Sequence, residues 1–250
     1  MLLIFGGTTE GKQAIQLMNE LNQSYHYSTK TKVDYTTDGL GIYRYGALDA
    51  VGLSTYINQH RITEIIDAAH PFATTLHQTI AEVSQSLSIP VYRLERMHTN
   101  RQEHSLIHYV DTYADALELL SKRFSGKKLL ALSGVQSIPR LNAYWKAYPT
   151  IFRILNRPSS IAIAEKHQFP MSQLILAYPN KELEKEIAIY QEHQIEVILT
   201  KESGNSGYLT TKINAALALD IPILILKKPT TPESFQVVDH LEKLKAKLLQ

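Results

Sequence analysis

The sequence predicts an α/β protein of two domains, each a mainly parallel sheet flanked by helices. Short apolar runs alternate with segments of helical period along nearly the whole chain. Many of those runs are apolar throughout, as in sheets covered by helices on both faces. One polar, non-periodic stretch, residues 95–104, interrupts the alternation and reads as a domain crossing. The resulting division is a first domain over 1–95 and a second over 106–229. A C-terminal helix over 230–250 is read as packing back on the first.

Residues 2–5 are a buried-strand run that stops at Gly6-Gly7, and Ala14, Leu17, Met18 and Leu21 then repeat at helical spacing. Strands follow over 25–29 and 42–45, and Asp49 is a good N-cap for the next helix. Residues 64–67 form a short buried strand. The helix over 73–87 turns Ile80, Val83 and Leu87 inward, and Pro90 precedes a strand over 91–93. Beyond the crossing, strands are expected over 106–110, 128–132, 150–155, 173–177, 196–200 and 222–226. Helices are expected over 112–124, from Ser159, over 181–193 and over 209–219. A last helix is expected over 232–248, because Val237, Val238, Leu241, Leu244 and Leu248 fall on one helical face.

Composition excludes several classes of function. The 26 basic and 24 acidic residues leave a net charge of +2, so bulk electrostatics point to no nucleic-acid partner. There is no cysteine, hence no disulfide framework, thiolate metal site or thiol nucleophile. No apolar run approaches the roughly 18 residues of a membrane span, and the N-terminus reads as a strand rather than a leader, so a cytoplasmic protein is expected. The ten histidines are scattered, with no metal-binding spacing. Nothing in the sequence points to a particular oligomeric state.

Right-handed crossovers bring the strand C-termini of each sheet to one edge, where ligands of such folds bind. Four post-strand segments are therefore candidates. Gly6-Gly7-Thr8-Thr9-Glu10-Gly11 leads a strand into a helix N-terminus. It suits a phosphate or is an ordinary turn, since Thr8 stands where the dinucleotide fingerprint has its second glycine. Ser28-Thr29-Lys30 ends the second strand with no acid, which suits the 2′-phosphate of NADPH or is a solvated basic loop. Asp67-Ala68-Ala69-His70-Pro71-Phe72 follows a buried strand. It either turns Asp67 and His70 into the cleft or uses one of them as a cap. Thr200-Lys201-Glu202-Ser203-Gly204, with Lys212 in the next helix, is an anion-binding loop or a flexible turn. No nucleophile triad or carboxylate pair accompanies them, which fits hydride transfer, where the cofactor carries the chemistry.

These segments resemble the precorrin-6A reductases of cobalamin (vitamin B12) biosynthesis, and the chain looks closer to the cobalt-precorrin-6A branch. The likeness rests on Gly6-Gly7-Thr8-Thr9-Glu10, Gly46-Ala47-Leu48-Asp49, Ile65-Ile66-Asp67-Ala68-Ala69-His70-Pro71-Phe72-Ala73 and Tyr92-Arg93-Leu94-Glu95-Arg96. It continues through Thr200-Lys201-Glu202-Ser203-Gly204, Lys212, and Ile221-Pro222 leading to Lys228-Pro229, in the family's order. The resemblance implies two Rossmann-like domains with a cleft between them. It also implies NADPH, or alternatively NADH, as reductant for one double bond of a corrin-precursor macrocycle, giving (cobalt-)precorrin-6B.

It implies a cofactor site of Gly6, Gly7, Thr8, Thr9, Glu10, Ser28, Thr29, Lys30, Asp67, His70, Pro71 and Phe72, with His70 the candidate proton donor. Arg93, Arg96, Lys201, Ser203, Gly204 and Lys212 are the candidate partners of the macrocycle and its acid groups. The sequence departs from the family at Ala69, Met97, the Ala177-Tyr178-Pro179 stretch and Gly207, which bears on substrate fit. Two other readings stand beside the reductase: a dinucleotide-binding sensor without turnover, and a non-redox two-domain tetrapyrrole enzyme.

Overall fold

A computed structural model describes residues 1–36, 39–95, 101–203 and 207–249. In chain order, the first part contains β1 (Leu2–Phe5), α1 (Thr9–Glu20), β2 (Tyr25–Thr29), β3 (Gly41–Tyr45), α2 (Ala50–His60), β4 (Glu64–Asp67), α3 (Thr74–Ser86) and β5 (Val91–Leu94). There follow β6 (Ile107–Val110), α4 (Tyr113–Arg123), β7 (Leu129–Leu132), a short α5 (Asn142–Trp145), β8 (Thr150–Ile154), α6 (Pro158–Lys166), β9 (Leu174–Leu176), α7 (Leu183–Glu192), β10 (Val197–Lys201), α8 (Leu209–Ala218) and β11 (Ile223–Leu226). The chain ends with β12 (Gln236–Val238) and α9 (Leu241–Leu248).

These elements form two compact units, Met1–Thr99 with Pro229–Gln250, and Asn100–Lys228. The first holds a parallel sheet in the order β3-β2-β1-β4-β5-β12, the doubly wound 3-2-1-4-5-6 arrangement. The second holds a parallel sheet in the order β9-β8-β7-β10-β11-β6. The strand order reverses between β1 and β4 in one unit, and between β7 and β10 in the other.

Continuous apolar strands are what such sheets require, because helices cover both faces. Leu3, Ile4, Ile65 and Ile66 are wholly buried, each worth about 1.5–3 kcal/mol relative to exposure. On one face Ala14, Leu17 and Met18 of α1 and Leu244 of α9 close over Ile4, Tyr25, Tyr27 and Ile66. On the other, Leu53 and Ile57 of α2 and Ile80 and Val83 of α3 cover Leu3, Phe5 and Ile65. In the second unit, Tyr190 of α7 and Ile213, Ala215 and Ala216 of α8 pack on Leu130, Ile198, Ile223 and Ile225.

Helix starts follow the local sequence. Asp49 caps α2 by accepting the Gly52 N–H at 2.7 Å, and Thr112 and Asp115 form a reciprocal capping box on α4. The single helix expected over 232–248 is instead β12 followed by α9. Val237 and Val238 are strand residues pairing with Arg93 and Leu94 of β5, and the helix begins only after Asp239-His240. The short helical turns Val135–Ser137 and Pro139–Leu141, which lack a periodic apolar pattern, were not expected from the sequence.

Candidate active site

In the first unit the candidate segments meet where the strand order reverses. Arg93, Asp67, Phe5, Ser28 and Arg44 occupy one register row across β5, β4, β1, β2 and β3. The glycine turn leaves β1 immediately after Phe5, and the Ala68–Phe72 turn leaves β4 immediately after Asp67. One side chain joins the two turns: the Thr8 hydroxyl donates to the Ala68 carbonyl at 2.6 Å and accepts the Gly11 N–H at 3.0 Å as the cap of α1.

The glycines are fixed by this geometry. Gly7 has φ +93, a left-handed conformation that side chains disfavour, and its N–H donates to the Tyr27 hydroxyl at 2.8 Å. A Cβ at Gly11 would stand 2.9 Å from the Gly6 Cα, so α1 approaches the turn as closely as the third fingerprint glycine permits. Thr9 and Glu10 open the first helical turn, in which the Gly11 N–H is held by the Thr8 hydroxyl. The glycine turn and the helix start fit a bound pyrophosphate, while Glu10 in the first turn is an acid suited to the helix dipole in its own right.

Asp67 differs from expectation. Its side chain is wholly buried, with Oδ1 accepting the Ala69 N–H at 3.1 Å. Oδ2 lies 3.1 Å from Arg93 Nη1 and 2.8 Å from His77 Nδ1, both close contacts without hydrogen-bond alignment. Arg93, expected to meet a substrate acid group, is 2 % exposed; it donates to the Ala69 carbonyl at 2.8 Å and to Glu95 Oε2 at 3.0 Å. Together Asp67, Arg93 and His77 hold the turn from beneath, His77 Nε2 also lying 3.1 Å from the His70 carbonyl. Neither Asp67 nor His70 caps α3, which begins after Ala73 with no side-chain cap.

His70 is exposed, and its Nδ1 accepts the Phe72 N–H at 3.2 Å. In the neutral ring that bond places the proton on Nε2. Pro71 and Phe72 complete the turn, with the Phe72 ring 5.9 Å from that of His70. Ser28 and Thr29 are buried and Lys30 is exposed. The Ser28 hydroxyl accepts from Arg44 Nη1 at 2.6 Å, while Thr29 donates to the Thr31 carbonyl and meets the Tyr43 hydroxyl, both at 2.8 Å.

In the second unit the residues of interest again leave adjacent strands at the reversal, since Thr200 of β10 is in register with Leu132 of β7. Lys201 and Ser203 are half-buried, and the Glu202 carboxylate is held by Arg101 at 2.8 and 3.0 Å and by the Lys228 N–H at 3.0 Å. Burial, then the like charge of Arg140, pushes the Lys201 ammonium down to about 8. Lys212 lies beneath the loop, its Nζ 3.4 Å from Thr200 Oγ1. Burial, then Arg153, brings it to about 8 as well, with Glu186 opposing. A Cβ at Gly207 would collide with Ser203, so only glycine lets the chain pass there. Arg96, Met97 and Gly204 lie outside the described residues.

Residues the sequence reading did not single out also bear on these sites. Tyr27 holds Gly7, and Arg44 reaches Ser28 from the neighbouring strand. In the second unit the Ser133-Gly134 turn follows β7, with Gly134 at φ +83 and the Ser137 hydroxyl donating to its carbonyl at 2.6 Å. The signal for that turn was available: Ser-Gly directly after the apolar run Leu129–Leu132. Tyr27 and Arg44 carry no such local signal, because their partners, Gly7 in the turn after β1 and Ser28 on β2, are distant in sequence.

A model of the precorrin-6x reductase CbiJ/CobK family matches residues 1–248. The precorrin-6A reductase of Rhodococcus erythropolis is 30% identical over 241 residues, spanning 95% of this chain and 93% of that protein. The cobalt-precorrin-6A reductase of Methanocaldococcus jannaschii is 28% identical over 255 residues, spanning 99% and 98%. A solved structure of a CobK precorrin-6A reductase shares the fold, with a TM-score of 0.78 at 19% identity over 99% of this chain and 95% of that one. No described helix is long and apolar enough to cross a membrane. The chain belongs to the precorrin-6x reductase family, oxidoreductases of cobalamin biosynthesis.

Proposed function

We propose that this protein is a cytoplasmic NAD(P)H-dependent reductase that saturates one double bond of (cobalt-)precorrin-6A to give (cobalt-)precorrin-6B. The observation that carries the coenzyme site is the Thr8–Ala68 bond, which joins the glycine turn to the His70 turn at the strand-order reversal. The coenzyme, when bound, supplies a hydride from its nicotinamide ring. Reduction then needs one proton, so two hydrogens add across the substrate double bond.

In this reading the α1 N-terminus and the Gly6-Gly7 turn hold the pyrophosphate through backbone N–H groups. His70, with Nδ1 accepting from Phe72, presents Nε2–H as a polar contact to the nicotinamide carboxamide; as the proton source it would act as the imidazolium, giving up the Phe72 bond and returning to the neutral ring. The buried Asp67–Arg93–His77 cluster positions that turn rather than touching a ligand. Lys201 and Ser203 are proposed partners for the carboxylates of the macrocycle, joined by Arg140, with the buried Lys212 adding its positive charge from beneath the loop. The Lys201 charge is retained below about pH 8, so substrate affinity is expected to fall above it.

The test is a fluorescence titration with NADPH and NADH, followed by coenzyme oxidation in the presence of (cobalt-)precorrin-6A. Binding and turnover are expected, and Gly7→Val, which forces a branched side chain into φ +93, is expected to weaken coenzyme binding. Coenzyme binding without oxidation in the presence of substrate would support the sensor reading instead. Absence of binding to either coenzyme would remove the reductase reading.

A further inference from the structure

We propose that Arg44 recognises the 2′-phosphate of NADPH and sets the coenzyme preference of this protein. The proposal rests on the coenzyme site proposed above and narrows its specificity to one side chain. Arg44 stands near the C-terminal end of β3, in register with Ser28, which is itself in register with Phe5 before the glycine turn. In-register neighbours project from the same face of a sheet, so Arg44 and Ser28 share a side.

The guanidinium is already positioned. Nη1 donates to Ser28 Oγ at 2.6 Å, and Nη2 donates to the carbonyls of Gly46 at 3.0 Å and Tyr45 at 3.3 Å. The Tyr56 ring lies 5.5 Å from its central carbon. These neighbours are all neutral, and no carboxylate among the described residues forms an ion pair with Arg44. A half-buried arginine held in place without a counter-charge keeps its positive charge for an anion, and its Nε–H and second Nη1 hydrogen lie outside these three bonds.

Its place in the sheet gives the anion a chemical identity. In a doubly wound sheet the end of the second strand reads the adenosine ribose, with an acid for free hydroxyls and an arginine for a 2′-phosphate. No acid ends β2 here. Its two hydroxyl residues are engaged, Ser28 by Arg44 and Thr29 by Thr31 and Tyr43. The specificity residue thus comes from the adjacent strand, whereas Lys30 is an exposed lysine on a flexible stem.

The competing role is structural, since Arg44 also ties the turn at Gly46. Calorimetric titrations of wild type, Arg44→Met, Arg44→Lys and Lys30→Ala with NADPH, NADH, 2′,5′-ADP and 5′-AMP separate the two. Arg44→Met is expected to weaken NADPH and 2′,5′-ADP by about 10- to 100-fold, and to leave NADH and 5′-AMP unchanged. Arg44→Lys, which keeps the charge, is expected to recover part of the loss and serves in place of Arg44→Met if that variant does not fold. Equal weakening of both coenzymes, a selective loss from Lys30→Ala instead, or a wild type that prefers NADH would each overturn the assignment. A wild type that binds neither coenzyme would instead reject the coenzyme site itself, whatever the variants do.

Discussion

Arg153 on β8 and Glu186 on α7 are both buried, and their two hydrogen bonds measure 2.7 and 2.9 Å. Asn180 and Tyr190 donate to the same carboxylate at 2.8 and 3.0 Å. Burial alone would push Glu186 up, but the bonds from Arg153, with Asn180 and Tyr190, hold it below the usual carboxylate range. A lowered folded pKa means stability that is fully present above the unfolded value, about 4.3, and lost as pH falls through the folded one. Glu186→Gln is therefore expected to cost about 3–5 kcal/mol at neutral pH, because it leaves a buried guanidinium uncompensated. Urea unfolding at neutral and acid pH checks this, and the cost should shrink on the acid side.

Lys212 carries the opposite sign. Its folded value of about 8 lies below the ordinary lysine value, so the unfolded chain holds the extra proton between about 8 and 10. Stability should thus rise with pH across that window, and below it the buried ammonium is a fixed cost. Lys212→Met is expected to raise the stability of the ligand-free protein at pH 7 and to flatten that rise. Lys201, shifted the same way, keeps part of it. Thermal melts over the window read both effects, and an unchanged slope in the variant would contradict the assignment.

At the scale of elements, β12 is the informative case. In a parallel strand, alternate residues turn both backbone groups toward the same neighbour. The Val238 carbonyl accepts from Glu95 N–H at 3.0 Å, which turns Gln236 toward β5 as well and Val237 away. Proline is tolerated in an edge strand only where the missing N–H faces outward. Gln236→Pro should therefore cost about 1 kcal/mol or more, whereas Val237→Pro should cost less, although both side chains are exposed. Chemical denaturation of the two variants gives the comparison, and equal losses would show that the edge pairing contributes nothing.

The same strand marks the limit of what sequence pattern conveys. β1, β7 and β11 were legible because helices cover both faces and the runs are apolar from end to end, β4 and β10 because Ile65-Ile66 and Val197-Ile198-Leu199 form apolar stretches, and β2 because its tyrosines and Thr29 favour a strand. β12 is three residues with one buried side chain, and its valines happened to continue the helical spacing of Leu241, Leu244 and Leu248. The site divides the same way. The glycine and His70 turns could be read as post-strand loops. The inward turn of Asp67 toward Arg93 on β5 and His77 on α3, and the grip of Tyr27 on Gly7, depend on tertiary neighbours that no local spacing reveals.

At the scale of the whole molecule, the path of the chain is crossed at the sixth strand of each sheet. After β5 the next strand, β6, joins the other sheet beside β11; after β11 the next strand, β12, returns beside β5. The second sheet is therefore built from the continuous run β6 to β11, whereas the first draws β12 from beyond it, and the stability of the first depends on the last residues of the chain. Val238 and Leu244 are buried in the core with Ile4, Tyr27 and Ile66, and Phe235 packs with Leu3 and Ile65. Removing residues 229–250 uncovers that core and leaves β5 as a bare edge, although the cut adjoins β11 in sequence. Hydrogen exchange on the truncated chain should show protection lost first in β1, β4 and β5, while β7, β10 and β11 keep theirs. Loss confined to the second unit would mean that stability follows chain order, not sheet membership. Loss in the first alone would make the C-terminal segment a structural part of the sheet that carries the glycine turn, so coenzyme binding should fail together with it.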